Sequence, residues 1–307
     1  MSSRVGPWRT RSTSSPGTPC VLSPETTGGG TTGPSGRSNG VMRVAILTGA
    51  PRGIASLAIP HLVAEPDIDL AVVLHVQGRG RRNRSRFRRD LAKVRRIGVL
   101  GALNGVRMRR WYRRDIPNAL GTAPLDELCD LHGVRLETSP STNGPRTRRL
   151  LRDADCDLGL SLGNPYIASR VFTIPRLGML NIHQEALPAF QGAASVIWQL
   201  YEGHAVTGYS VHQVERKIDE GAIYEVETFP IEFRRTLRET TVHNGARARE
   251  RSIQALVRVL RDFDPDSGQA QAPEEGRWYT TPTIRQYLRM TRRHAQLRAR
   301  HGTASAP

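Results

Sequence analysis

From Met42 onward the chain alternates short apolar runs with stretches of helical periodicity. Met42 to Thr48 (MRVAILT) is apolar and partly β-branched and stops at Gly49, the pattern of a parallel strand buried on both faces. Asp69 to Val76 (DLAVVLHV) predicts a second strand. Val134 to Glu137 predicts a weaker third, preceded by a helix from about Pro124 to Leu131. Cys156 to Leu162 and Gly178 to His183 predict two more. Strands and helices alternating at this spacing predict an α/β fold, a mostly parallel sheet with helices on both faces, whose ligands gather at the carboxyl ends of the strands. Further on, Gly208 to Val214 and Ala222 to Ile231 predict a hairpin, preceded by a helix from Ala193 to Tyr201. A helix-prone region runs from Ile231 to about Phe263. A polar linker over Asp264 to Gly276 and a basic tail from Arg277 with one helix complete the chain.

Composition divides the chain further. Residues 1–41 are dominated by Ser, Thr, Gly, Pro and Arg, a mixture with too little apolar surface to offset the entropy of ordering. The expected organisation is therefore a disordered tail (1–41), a catalytic domain (42–232) with a basic insertion (78–115), and a helical, basic extension (233–307). The net charge of +17 comes almost wholly from arginine, Lys93 and Lys217 being the only lysines. Such a skew is also what a GC-rich genome produces, so it does not by itself indicate nucleic acid; a basic surface attracts phosphates of any kind. The insertion reads either as a solvated crossover or as an anion-binding lid near the site. Its arginines interleave with Phe87, Trp111 and Tyr112, which keeps an RNA-binding alternative open. Cys20, Cys129 and Cys156 have no metal-ligand or disulfide-framework spacing, so no metal is expected and a reducing cytoplasm is the simplest setting. No apolar run approaches a membrane span, and the basic N-terminus has no apolar core of a secretory signal.

The candidate chemistry lies between Gly178 and Ile231. Asn181 and His183 are two apart at a strand end and so project to the same side. Asp219 follows in an Asp-Glu-Gly turn beside apolar Ile218, between the two hairpin strands. An amide donor, an imidazole and a carboxylate suit acyl transfer between amines. Asn181 and a protonated His183 can donate to the oxygen that gains negative charge, and Asp219 can accept the amine proton and hold His183 cationic. Each residue alone is more often structural. Their joint occurrence, with Leu187-Pro188 between them, raises the case for a site.

These motifs resemble the folate-dependent formyltransferases. Asn181-Ile182-His183, Leu187-Pro188, Gln191-Gly192, Thr207-Gly208-Tyr209-Ser210-Val211-His212 and Asp219-Glu220-Gly221 follow that family's order. The resemblance covers about Cys156 to Ile231 well and extends loosely back to Met42. It implies a Rossmann-like, formyltransferase-type fold, with Asn181, His183 and Asp219 as the catalytic trio and 10-formyltetrahydrofolate as formyl donor. It further implies that Gly163, Asn164, Tyr166, Ile167 and Ala168, with Val214, Arg216 and Lys217, wrap the pterin, largely through backbone groups. The acceptor it implies is a small-molecule amine, such as an amino sugar nucleotide or a natural-product amine. A formyltetrahydrofolate hydrolase and a methionyl-tRNA formyltransferase-like protein stand as alternatives. Three departures shape the reading. Gln191 replaces a basic residue. The loop Thr48 to Gly53 lacks the Gly-x-Gly-Ser-Asn phosphate pattern, which argues against purine synthesis. The region after Ile231 is short, Arg-rich and helix-like, unlike the C-terminal barrel of the methionyl-tRNA enzymes. A nicotinamide dehydrogenase, possible from fold alone, is disfavoured because no Gly-x-Gly-x-x-Gly follows the first strand.

Overall fold

The computed structural model describes residues 40–78, 84–192, 195–272 and 276–301, with side chains from residue 91 onward in the second stretch. The expected tail up to Asn39, the arginines from Arg79 to Arg82, and Ala193 lie outside the described residues.

The first strand, β1 (Met42–Thr48), shows why its apolar run is unbroken. Val44 and Ile46 enter one core and Ala45 and Leu47 the other, the period-two alternation of a strand covered on both sides. The chain continues through α1 (Ile54–Val63) to β2 (Ile68–Val76), which pairs parallel to β1. The basic stretch becomes α2 (Arg84–Arg110), broken at Gly98, whose φ of 75° and ψ of 163° lie outside the helical region. A π-helical turn, Trp111–Asp115, leads into α3 (Ile116–Ala119) and α4 (Leu125–Leu131). Then come β3 (Leu136–Ser139), α5 (Pro145–Asp153), β4 (Leu158–Ser161), α6 (Ser169–Phe172) and β5 (Met179–His183). A short β6 (Gln191–Gly192) and α7 (Ile197–Glu202) precede the hairpin of β7 (Val206–Gln213) and β8 (Ile223–Pro230). The remainder is α8 (Leu237–Arg261), β9 (Trp278–Tyr279) and α9 (Ile284–His301).

Seven strands form one sheet in the order β3-β2-β1-β4-β5-β7-β8. It is parallel as far as β5, and β7 and β8 add on antiparallel. The order reverses between β1 and β4, which opens a crevice at their carboxyl ends. Helices α1, α4 and α8 cover one face through Ile59, Cys129 and Leu256, and α5 and α6 cover the other through Leu151 and Val171. The expected strand at Val134–Glu137 begins two residues later, and the helix expected from Ala193 begins at Ile197.

A third apolar cluster lies beside the sheet. Met108 and Trp111, then Ile197 and Leu200 of α7, Leu237 of α8, and Met290 and Leu297 of α9 pack together. The basic stretch is thereby fastened to the protein by its buried apolar residues. Thr236 and Glu239 close a reciprocal capping box at the start of α8, which is why that helix begins there rather than at Ile231. No helix among the described residues is long and apolar enough to cross a membrane.

Candidate active site

The carboxyl end of β5 carries Asn181 and His183, and antiparallel pairing sets His212 opposite Asn181 and Ser210 opposite His183. In the sequence His212 stands only as the last residue of the Thr-Gly-Tyr-Ser-Val-His strand motif. Two-residue spacing on a neighbouring antiparallel strand was the signal that could have found it. Its Nδ1 lies 2.8 Å from Gln213 O, which can only accept, so the ring proton sits on Nδ1. The bare Nε2 then accepts from Asn181 Nδ2 at 3.0 Å. This fixes the Asn181 amide and leaves its second N–H free to donate. Burial, and then the charge of His183, push the His212 pKa down to about 4 against the pull of Asp219, so His212 is neutral near pH 7.

His183 Nε2 donates to Phe190 O at 2.8 Å, which turns Nδ1 toward Asp219 Oδ2 at 3.6 Å. The ring thereby faces Asp219. Asp219 itself adopts a left-handed backbone, φ 59°, which Asp tolerates better than most residues. Its Oδ2 accepts from the Gly192 N–H at 2.9 Å, and its backbone carbonyl accepts from Gln271 Nε2 at 3.0 Å. Gly192 has φ 96°, and a Cβ there would lie 2.3 Å from Tyr279 O, so only glycine brings that N–H to the carboxylate while pairing with β9. Gln191, standing where the resemblance puts a basic residue, directs its amide at Asp219 O at 3.5 Å.

Two cavities meet at Asn181 and Asp219. The larger, about 520 Å³, is lined by Asn181, His183 and Asp219 and by Gly105, Met108, Arg109, Tyr112 and Arg113. Those last five residues recur at intervals of three and four, one face of the helical segment that ends the basic stretch. The Tyr112 hydroxyl, kept protonated by burial, donates to Ser195 O at 2.9 Å and ties this segment to the site. The smaller cavity, about 100 Å³, is lined by Asn164, Tyr166, Ile167, Val214 and Lys217, and it shares Asn164, Asn181, Ile218 and Asp219 with the larger. Of the residues expected to hold a pterin, Gly163 lines only the larger cavity. Ala168 and the exposed Arg216 line neither. Asn143 clamps the loop by donating to Tyr166 O and accepting from the Ala168 N–H, a role no motif announced.

Asn164 Nδ2 is held by Leu47 O and Ser161 Oγ, and its buried Oδ1 has no partner within the protein. Both polar atoms of Gln184, in the larger cavity, are likewise buried without protein partners. Buried polar groups are rarely left unpaired, so both cavities offer hydrogen-bonding capacity to ligand or water. Deeper, Glu185 accepts from the Val196 N–H at 2.6 Å and from Gln199 Nε2, and burial pushes its pKa well above the carboxylate range. The described residues contain no cluster of three or more metal-ligating side chains.

Residues 165–260 match the formyl transferase family model. Among curated proteins, methionyl-tRNA formyltransferase of Deinococcus radiodurans is 32% identical over 122 residues, 39% of this chain and 37% of that one. The Salinispora tropica methionyl-tRNA formyltransferase is 31% identical over 163 residues, 51% of this chain and 50% of that one. The chain thus spans half or less of the length of these relatives. Among solved structures, glycinamide ribonucleotide transformylase 1 from Symbiobacterium toebii superposes with a TM-score of 0.51 at 16% identity, covering 76% of this chain and 96% of that one. Residues 165–260 carry the formyl transferase signature, and the chain resembles the folate-dependent formyltransferases in its mostly parallel, Rossmann-like fold.

Proposed function

We propose that this chain is an enzyme that transfers a formyl group from 10-formyltetrahydrofolate to the amine of a small-molecule acceptor. The observation that carries the reading is the junction of two cavities at Asn181 and Asp219. The smaller suits the pterin end of the donor. Asn164 Oδ1 offers an unpaired acceptor to a ring N–H, and Tyr166 and Ile167 offer apolar surface to a flat ring. The bound donor supplies an activated formyl group, whose bond to the folate nitrogen breaks as the bond to the acceptor nitrogen forms.

The side chains account for the charges and protons. The free N–H of Asn181 donates to the formyl oxygen as negative charge builds there. Asp219 Oδ1 is not taken up by the Gly192 N–H and is the atom that receives the amine proton. His183, whose Nδ1 faces the same carboxylate, shares that proton. The departing folate nitrogen needs one proton and the attacking amine releases one, so the exchange balances within the site.

Methionyl-tRNA is the acceptor named for the curated relatives and is the second reading, favoured by the arginines of the basic stretch at the larger cavity. The segment after Ile231 favours the small-amine reading, because it forms helices α8 and α9 packed on the third apolar cluster. The test is turnover with 10-formyltetrahydrofolate and a panel of amines, charged tRNA and water alone. Formylation of a small amine supports the proposal. Formylation of charged tRNA alone selects the second reading, and formate release at the same rate with and without amine selects a hydrolase.

A further inference from the structure

The larger cavity has a cationic wall that the transfer chemistry does not use. Arg109 and Arg113 lie one helical turn apart on the face that lines it, and Arg249 of α8 lines it too. None of the three is paired with a carboxylate among the described residues. Arg249 is only partly exposed, and among the described residues its guanidinium donates from Nη1 to Gly245 O at 2.7 Å. Burial lowers its pKa to about 10, still far above neutrality, so the guanidinium remains charged. A charge withdrawn from water without an anion is costly, and the usual resolution is a counter-charge in the same space. Glu185 does not provide it, since burial favours its neutral form and its oxygens are occupied by Val196 and Gln199. Asp219 is engaged by the Gly192 N–H and faces His183.

We propose that Arg109, Arg113 and Arg249 form an oxyanion subsite for the acceptor, and that the acceptor is an amine bearing a phosphate group. Three guanidiniums match a doubly charged phosphate better than a single carboxylate, and their planar forks suit its oxygens. The trio comes from other elements and lines the same cavity, so an anion held by these arginines leaves the amine end of one molecule free to reach Asn181 and Asp219. A cavity of about 520 Å³ admits a phosphorylated amine of metabolite size. The identification of this anion as part of an acceptor rests on the formyl-transfer reading.

The test is calorimetric titration of the full chain with inorganic phosphate, and separately with acetate, at low ionic strength. Phosphate is expected to bind more tightly than acetate. Its affinity should fall at least about tenfold in Arg249→Met and in the double variant Arg109→Gln/Arg113→Gln, whose exposed side chains are not needed for folding. The double variant Arg110→Gln/Arg298→Gln, in a separate arginine-lined cavity beside α9, should stay within about twofold of wild type. Wild-type phosphate affinity in the Arg109/Arg113 variant, or loss only in the Arg110/Arg298 variant, overturns the subsite. Equal affinity for acetate overturns the phosphate assignment. Displacement of phosphate by a hairpin RNA at far lower phosphate concentration, with steep salt dependence, overturns the small-molecule class. Binding of 5-formyltetrahydrofolate is measured in the same samples. Its absence from a wild type that binds phosphate through these arginines refutes formyl transfer and leaves the oxyanion site standing.

Discussion

Asn181 and His212 face each other across the β5–β7 pair and are joined by a hydrogen bond in which the amide donates to a histidine whose other nitrogen is already committed. On the proposed mechanism, the neutral imidazole is a positioning group for the oxyanion donor. His212→Phe keeps the ring volume and removes the acceptor. Turnover is expected to fall by about tenfold or more, with donor-analogue binding less affected. The same residue carries a stability signature. Its folded pKa of about 4 lies below its ordinary 6.5, so the unfolded chain binds more protons between those values. Wild-type stability should rise as pH rises from about 4 to 6.5, by on the order of 3 kcal/mol from this residue, and His212→Phe should flatten that rise in chemical denaturation.

Asp219→Asn preserves shape and removes the proton acceptor. A loss in kcat of about a hundredfold or more is expected, while 5-formyltetrahydrofolate binding by calorimetry changes little. His183→Ala should resemble it, and the double variant should be little worse than either, because the groups act as a unit. Near-normal turnover in Asp219→Asn would refute the assigned mechanism.

Much of this was legible from residue order, and the limits have physical causes. That Asn181, His183 and Asp219 line one cavity could be expected because strand alternation and an Asp-x-Gly turn are local patterns. His212 and Glu185 were missed because what they do depends on pairing between strands and on α7, neither of which a local pattern records. The trio's close approach was expected, but the direction of the His183 ring was not, since Phe190 O is a backbone atom that no side-chain pattern marks. The basic stretch was read as solvated or as a lid. Among its described side chains Arg95, Arg96 and Arg110 are exposed, and one stripe lines the cavity, because Met108 and Trp111 are buried at a spacing that the arginines obscure. Strand ends shifted by two residues where weak apolar runs, as at β3, leave the pairing partner to set the boundary.

Glu185 offers a test of burial. Its folded pKa lies above 4.5, so its contribution to stability is fully present below that pH and is lost as pH rises through the folded value. Wild type should lose stability relative to Glu185→Gln as pH rises above about 4.5 and through the raised folded value. Glu185→Gln should fold within about 1 kcal/mol of wild type at neutral pH, since the Gln199 amide can turn to meet it. Glu185→Ala should cost about 2–3 kcal/mol by leaving Val196 N–H and Gln199 unpaired. Urea midpoints across that pH range provide the measurement.

Gly192→Ala probes the backbone that orients the carboxylate. A Cβ would collide with Tyr279 O and the left-handed φ disfavours alanine, so β6 and β9 must separate. A loss of roughly 2 kcal/mol or more is expected, together with a kcat defect that approaches that of Asp219→Asn. Full activity in this variant would mean that the Gly192 N–H does not fix Asp219.

The wall shared by the two cavities bears on kinetic order. Neither lining contains a cysteine among the described residues, and the buried Cys129 and Cys156 have thiol pKa values pushed up to about 11. Neither compartment thus offers a thiolate to store the group between visits. On the proposed formyl transfer, with Asn181 and Asp219 reachable from both sides, the two reactants are expected to occupy the protein together and the group to pass directly across the boundary. Initial-rate lines for such a site intersect rather than run parallel, and the donor alone produces no burst and leaves no acylated chain for mass spectrometry to detect.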